Sequence, residues 1–150
     1  MRVVIQRVKS ASVSVQGNVK CQIKKGLLIF LGIQKDDTEN DVIWLCNKIS
    51  SLRIFSDDYG KMNLSVKDVN GDIMVVSQFT LHAKTKKGNR PSYIEAASPE
   101  KANYFYKMFK LELANILQKK VFSGKFGANM QIKLVNDGPV TIIIDTKNRQ

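Results

Sequence analysis

The sequence is poor in the residues that most enzymes use for chemistry. It has two cysteines, Cys21 and Cys46, 25 positions apart, with no CxxC and no histidine beside either. That excludes a disulfide framework and a zinc site by spacing, and leaves two buried free thiols in a reducing compartment as the expectation. It has one histidine, His82, so any Ser-His-Asp arrangement would have to use that ring. Asp36-Asp37 and Asp57-Asp58 have no ligand spacing, so no metal is expected. Gly124 and Gly127 match neither a P-loop nor a dinucleotide fingerprint, so no cofactor is expected either. The longest apolar block, Leu27 to Leu31, is far short of the ~20 residues that span a bilayer. The opening MRVVIQRVKS contains no apolar signal core. A cytoplasmic location follows as the expectation. Acidic residues are scarce as well: 13 Asp+Glu face 24 Lys+Arg, a net charge of +11. Such an excess favours a polyanion, nucleic acid above all.

What is present reads as one domain over residues 1–150, large enough to hold a core without staples. Residues 3–15 alternate as a strand. Ala11, Val13 and Val15 share a parity with Val3 and Ile5, but Val8 does not, so a bulge or bend is expected between Gln6 and Lys9. Gln16-Gly17-Asn18 marks a turn. Val19–Ile23 and Leu27–Ile33 read as strands split by Lys24-Lys25-Gly26. Thr38 caps a helix whose stripe is Val42, Leu45, Cys46, Ile49 and Leu52, with Asp41 placed to favour the exposed amides. Residues 53–71 read mostly as loop. Asp72–Phe79 is a nearly continuous apolar strand, hence central. Ser98-Pro99-Glu100 opens the longest helix, with Phe105, Met108, Phe109, Leu113, Ile116 and Leu117 inward. The expectation is six or seven strands and two helices. The fold class is α+β: a mainly antiparallel sheet or barrel-like domain with helices on one side.

Two segments could carry chemistry. The first is Ser77-Gln78-Phe79-Thr80-Leu81, where the apolar strand meets its loop. It is either an ordinary strand end or a cradle whose free backbone amides and hydroxyl stabilise an oxyanion. His82 lies two residues beyond Thr80, so in an extended segment the two would point the same way. A lone histidine in so polar a stretch is expected to be solvated. The second is Asn136-Asp137-Gly138-Pro139, between the strand-like runs Ile132–Val135 and Val140–Ile144. It is either a simple turn or a fixed device, because Pro locks one dihedral and Gly leaves space.

Together the two segments resemble the paired signatures of the D-aminoacyl-tRNA deacylase family. SQFTL stands at 77–81 and NDGPVT at 136–141. QRVKSASVSVQG, GLLIFLGI, KKGNRPS, SPEKA and GKFGANMQIKLVNDGPVT resemble family segments in the same order, over nearly the whole chain. Lys24-Lys25-Gly26 and Asn129 depart from the usual residues, outside both signatures. The resemblance implies hydrolysis of the ester between a D-amino acid, or mischarged glycine, and tRNA. It implies a homodimer in which a cis Gly138-Pro139 of one subunit reaches the other's pocket at Ser77, Gln78, Phe79 and Thr80. Asn136 and Phe126 would help bind substrate, with Phe126 or Phe79 stacked on the terminal adenine; Phe126 as plain core is the alternative. Lys84, Lys86, Lys87 and Arg90 would follow the tRNA backbone. The expected partner is aminoacyl-tRNA, with neither DNA nor membrane.

Overall fold

A computed structural model describes residues 1–149. Its framework is β1 (Arg2–Val15), which carries three other strands. On one edge, β3 (Gly26–Gly32) pairs antiparallel with the first half of β1, and β2 (Asn18–Ile23) with the second half. On the other edge, β8 (Gln131–Asp145) runs antiparallel along nearly all of β1. β6 (Asp72–Ser77) joins β3 in parallel, and the short β7 (Phe122–Ser123) joins β6 in parallel. The sheet is therefore mixed, where antiparallel pairing was expected for the early strands and holds only there. An all-apolar strand such as β6 announces burial on both faces and not the direction of its neighbour.

The bulge in β1 is where the parity of its apolar residues placed it. The pairing with β8 shifts between Gln6 and Val8 and again between Val8 and Ser10. One added residue moves odd-numbered positions to the opposite face. Val3 and Ile5 accordingly join the larger core, and Val8, Ala11 and Val13 join a second cluster with Ile23, Leu28, Met74 and Val76. β8 changes faces at the same level: Ile132 and Leu134 pack on the second cluster, Val140, Ile142 and Ile144 on the first.

Both helices cover the first face. In α1 (Glu39–Ser51), Val42, Leu45, Cys46 and Ile49 are buried. Its start is held by Asp41, whose Oδ2 accepts from the Thr38 amide and hydroxyl, each at 2.9 Å. In α2 (Pro99–Leu117), Phe105, Phe109 and Leu113 are buried, while Met108, Ile116 and Leu117 are half-buried. Tyr106 is buried too, with its hydroxyl donating to the Val75 carbonyl at 2.8 Å. The region expected as loop contains a small hairpin, β4 (Phe55–Ser56) with β5 (Met62–Leu64). The described strands thus number eight. Cys46 is buried, but Cys21 is only half-buried; both are free.

Residues 136–139 do not connect two separate strands. β8 passes straight through them, because both of its halves pair with the same β1. Between the pairs Gln6–Thr141 and Val8–Asn136, Arg7 alone on β1 faces residues 137–140 on β8. The extra length stands out of the ladder as a wide bulge, and Gly138 and Pro139 are exposed there.

Candidate active site

The parallel pairing of β3 and β6 puts Leu31 opposite Ser77, and the Gln78 amide donates to the Leu31 carbonyl at 2.8 Å. β6 ends there. Phe79–His82 then turn as one 3-10 helix instead of extending the strand to Phe79. The turn's own hydrogen bonding starts with the Leu81 amide on the Gln78 carbonyl. The amides of Phe79 and Thr80 precede it and have no acceptor within the turn.

Next to this turn is a mainly apolar cavity of about 410 Å³. Ser77, Gln78, Phe79 and Phe126 line it, so four of the expected site residues come together. Phe79 is 56% exposed at its mouth, edge-on to Tyr93 with ring centroids 5.0 Å apart. Phe126 is half-buried and tilted 48° against Tyr106, so it is at once wall and core. Thr80 sits beside the cavity, its Oγ accepting from Gln78 Nε2 at 2.6 Å.

Thr80 and His82 do not pair. The 3-10 turn breaks the two-residue alternation that would have aligned them. His82 is also not solvated: it is buried against the Gly32 backbone. Burial pushes its imidazole below the usual histidine range; nearby Arg2 adds to the effect, and a hydrogen bond with the Gly32 backbone opposes it. A triad through His82 is ruled out by this geometry. Nor does any described group stand ready to take the Thr80 proton.

Asn136, Gly138 and Pro139 do not line the cavity of their own chain. Asn136 spans the bulge: its Oδ1 accepts from the Val140 amide at 2.9 Å, and its Nδ2 donates to the Val140 carbonyl and the Thr141 hydroxyl. The Gly138–Pro139 peptide is cis, and Gly138 has φ +133°. Arg7, a residue that the sequence reading passed over, holds the bulge from below. It is buried, and its Nε donates to the Asp137 carbonyl at 3.0 Å and its Nη1 to the Ile54 carbonyl at 2.6 Å. The signal was there: a charged residue on the inward phase of Val3 and Ile5 must have partners.

Lys84 opens a hairpin through its backbone bridge to Ser92, and its ammonium pairs with Glu95 at 2.7 Å. Lys86, Lys87 and Arg90 are exposed at the tip, with no acidic partner among the described residues.

A sequence profile described as D-Tyr-tRNA(Tyr) deacylase matches residues 4–145. The chain belongs to this family. It is 57% identical over 150 residues to a D-aminoacyl-tRNA deacylase of Akkermansia muciniphila and 55% identical to one of Bacteroides fragilis, covering all of both. Among solved structures it resembles a "c-Myc DNA Unwinding Element Binding Protein" at 40% identity and TM-score 0.91, covering 97% of this chain and 98% of that one. A probable eukaryotic D-amino acid tRNA deacylase shares the fold, with TM-score 0.83 at 16% identity, over 95% of this chain and 97% of that one. Among the described residues no helix is long and apolar enough to cross a membrane.

Proposed function

We propose that the chain hydrolyses the ester between a D-amino acid, or mischarged glycine, and the terminal ribose of tRNA, in the cytoplasm and as a homodimer. Membership of the deacylase family and the names of its relatives support the reaction. One observation supports the dimer most directly. The SQF cavity and the exposed Gly138-Pro139 bulge are separate within one chain, so only a second copy can bring them together. The outer edge of β8 pairs with no described strand, and Val135 (52%) and Ile143 (68%) are exposed along it. So long a free edge with apolar residues suits a two-fold contact.

In that assembly the partner subunit's Gly138 and Pro139 meet Ser77, Gln78, Phe79 and Thr80. Main-chain carbonyls accept hydrogen bonds from the substrate α-ammonium. With ammonium and ester held, an L side chain points into the same main chain, whereas a D side chain points away. L substrates are refused by clash and not outbid by affinity. Glycine has no side chain to refuse.

An aminoacyl ester is already activated. Water adds to its carbonyl carbon, and the amides of Phe79 and Thr80 receive the developing oxyanion. The ribose 2′-hydroxyl assists proton movement, and collapse releases tRNA and the free amino acid. The deciding experiment follows ester loss from D-Tyr-tRNA and L-Tyr-tRNA with purified protein. Rapid loss of the D form alone is expected; equal cleavage of both, or of neither, refutes the reading.

Thr80 acts here through its amide. Thr80→Ala is expected to keep substantial single-turnover deacylation. A loss greater than about 10³, the size of a missing oxyanion donor or more, would make the hydroxyl a nucleophile.

Lys86, Lys87 and Arg90 contribute affinity along the acceptor stem without reading sequence, and Lys84 does so less because of its Glu95 partner. Changing Lys86, Lys87 and Arg90 together to Gln should raise KM for D-Tyr-tRNA with kcat unchanged. The salt slope should flatten by roughly 2–3, near one per removed phosphate contact. An unchanged slope removes the hairpin from the interface. A DNA role, suggested by one relative's name, is the rival reading. It would be favoured if a single-stranded DNA oligonucleotide bound as tightly as tRNA.

A further inference from the structure

His82 ends the turn that begins at Phe79, and it faces away from the reaction. It is 4% exposed, and its Nε2 has no hydrogen-bond partner among the described residues. A buried polar atom without a partner is costly, so native proteins rarely leave one unexplained. His82 lines a second cavity, of about 340 Å³, with Arg2, Gln34, Ala83, Lys84 and Glu95.

The charges in this cavity are already matched. Arg2 donates through Nε and Nη2 to Asp145 and through Nη1 to the Leu81 carbonyl. Lys84 and Lys35 both pair with Glu95. A bare anion therefore has no obvious holder. The unmet group is a neutral imidazole nitrogen. With the ring's other nitrogen engaged by the Gly32 backbone, Nε2 is an acceptor that lacks a donor.

Its position narrows the class of donor. Glu95 lines this cavity while the adjacent Ala96 lines the SQF cavity. Lys84, on the opposite wall, opens the basic hairpin. The cavity thus lies between the proposed ester site and the proposed backbone-binding tip. A polynucleotide joining the two passes over it, and the donor that RNA carries at every nucleotide is its ribose hydroxyl.

We propose that this cavity receives the ribose of the nucleotide next to the aminoacylated adenosine, its 2′-hydroxyl donating to His82 Nε2. The inference rests on the deacylase reading. It makes this step a check for RNA at a position the ester chemistry never touches. Gln34, at the rim, can offer the same hydroxyl an amide N–H.

The test uses D-Tyr-charged minihelices with ribose, 2′-deoxyribose or 2′-O-methylribose at the penultimate nucleotide. For the unaltered protein, both modified substrates should show KM raised about 5- to 10-fold with kcat unchanged, the size of one lost hydrogen bond. His82→Phe should bind the ribose substrate as poorly as the deoxy one and no longer distinguish them. His82→Gln, which keeps an acceptor, should retain part of the preference. Equal KM for all three substrates with the unaltered protein means that Nε2 meets only water, and overturns the proposal whether or not the variants fold. A preference that survives in folded His82→Phe overturns it too. No cleavage even of the all-ribose minihelix overturns the deacylase reading first, and this inference with it.

Discussion

Gly138→Ala is expected to cut D-Tyr-tRNA deacylation by about 10² or more while leaving a folded protein. A Cβ built on Gly138 would lie 2.9 Å from Arg7 Nη2, 2.9 Å from Val140 Cγ2 and 3.1 Å from the Val140 amide. The two side-chain atoms could yield, but the backbone amide could not. The residue also sits at φ +133°, a region that L side chains rarely adopt. Holding alanine there would cost about 1–3 kcal/mol, so the chain should relax by turning the local peptide. That moves the carbonyls on which chiral selection depends, and a misplacement of 1 Å is enough for a loss of about 10². The D-to-L rate ratio should fall together with the D rate. Rates on both tRNAs, with a thermal melt for each protein, check this. An unchanged ratio in a folded variant would remove Gly138 from the filter.

The second large effect concerns folding. A Cβ on Gly26 would stand 1.9 Å from the Asp72 carbonyl oxygen and 2.7 Å from two further backbone atoms of Asp72. Neither strand has a side chain to swing aside, so Gly26→Ala must push β3 and β6 apart where their parallel pairing starts. Overpacking in a core costs about 1–3 kcal/mol when neighbours can move; here they are main chain, and the cost should exceed that range. The same pairing ends at Leu31–Ser77 and sets the position of the SQF segment. The variant should therefore accumulate poorly, melt well below the parent and lose activity. Gly17→Ala is the control, with a positive φ of +78° but nothing within 4 Å of the added carbon. It should lose about 1–2 kcal/mol, equivalent to roughly 2–8 °C in a chain of this length. If Gly26→Ala melts no lower than Gly17→Ala, the close approach of the two strands is wrong.

Local rules and global pairing differ in what they leave in a sequence. The β1 bulge was readable because apolar parity breaks at Val8. The starts of both helices were readable because Thr38 and Ser98 have side chains suited to capping. The SQFTL and NDGPVT segments stood out by composition, and the family resemblance joined them. The direction of β6 beside β3 left no trace, since an apolar strand looks alike in either orientation. β8 was divided at its glycine and proline because a turn and a wide bulge use the same residues, and only a shared partner strand separates them. His82 was misread because its neighbours are polar, while its burial comes from Gly32, fifty positions earlier. Tyr106 was passed over because its hydroxyl partner, the Val75 carbonyl, belongs to another element.

The guanidinium of Arg7 joins two carbonyls that the chain order keeps far apart, one just before β4 and one in the bulge of β8. Transplanting NDGPVT into another sheet should therefore not transplant its shape. The graft would need an arginine on the neighbouring strand and a third segment to anchor that arginine from behind. By the same linkage, substitutions around Ile54 should alter stereochemical fidelity without touching substrate, and a search for variants with relaxed handedness could begin there.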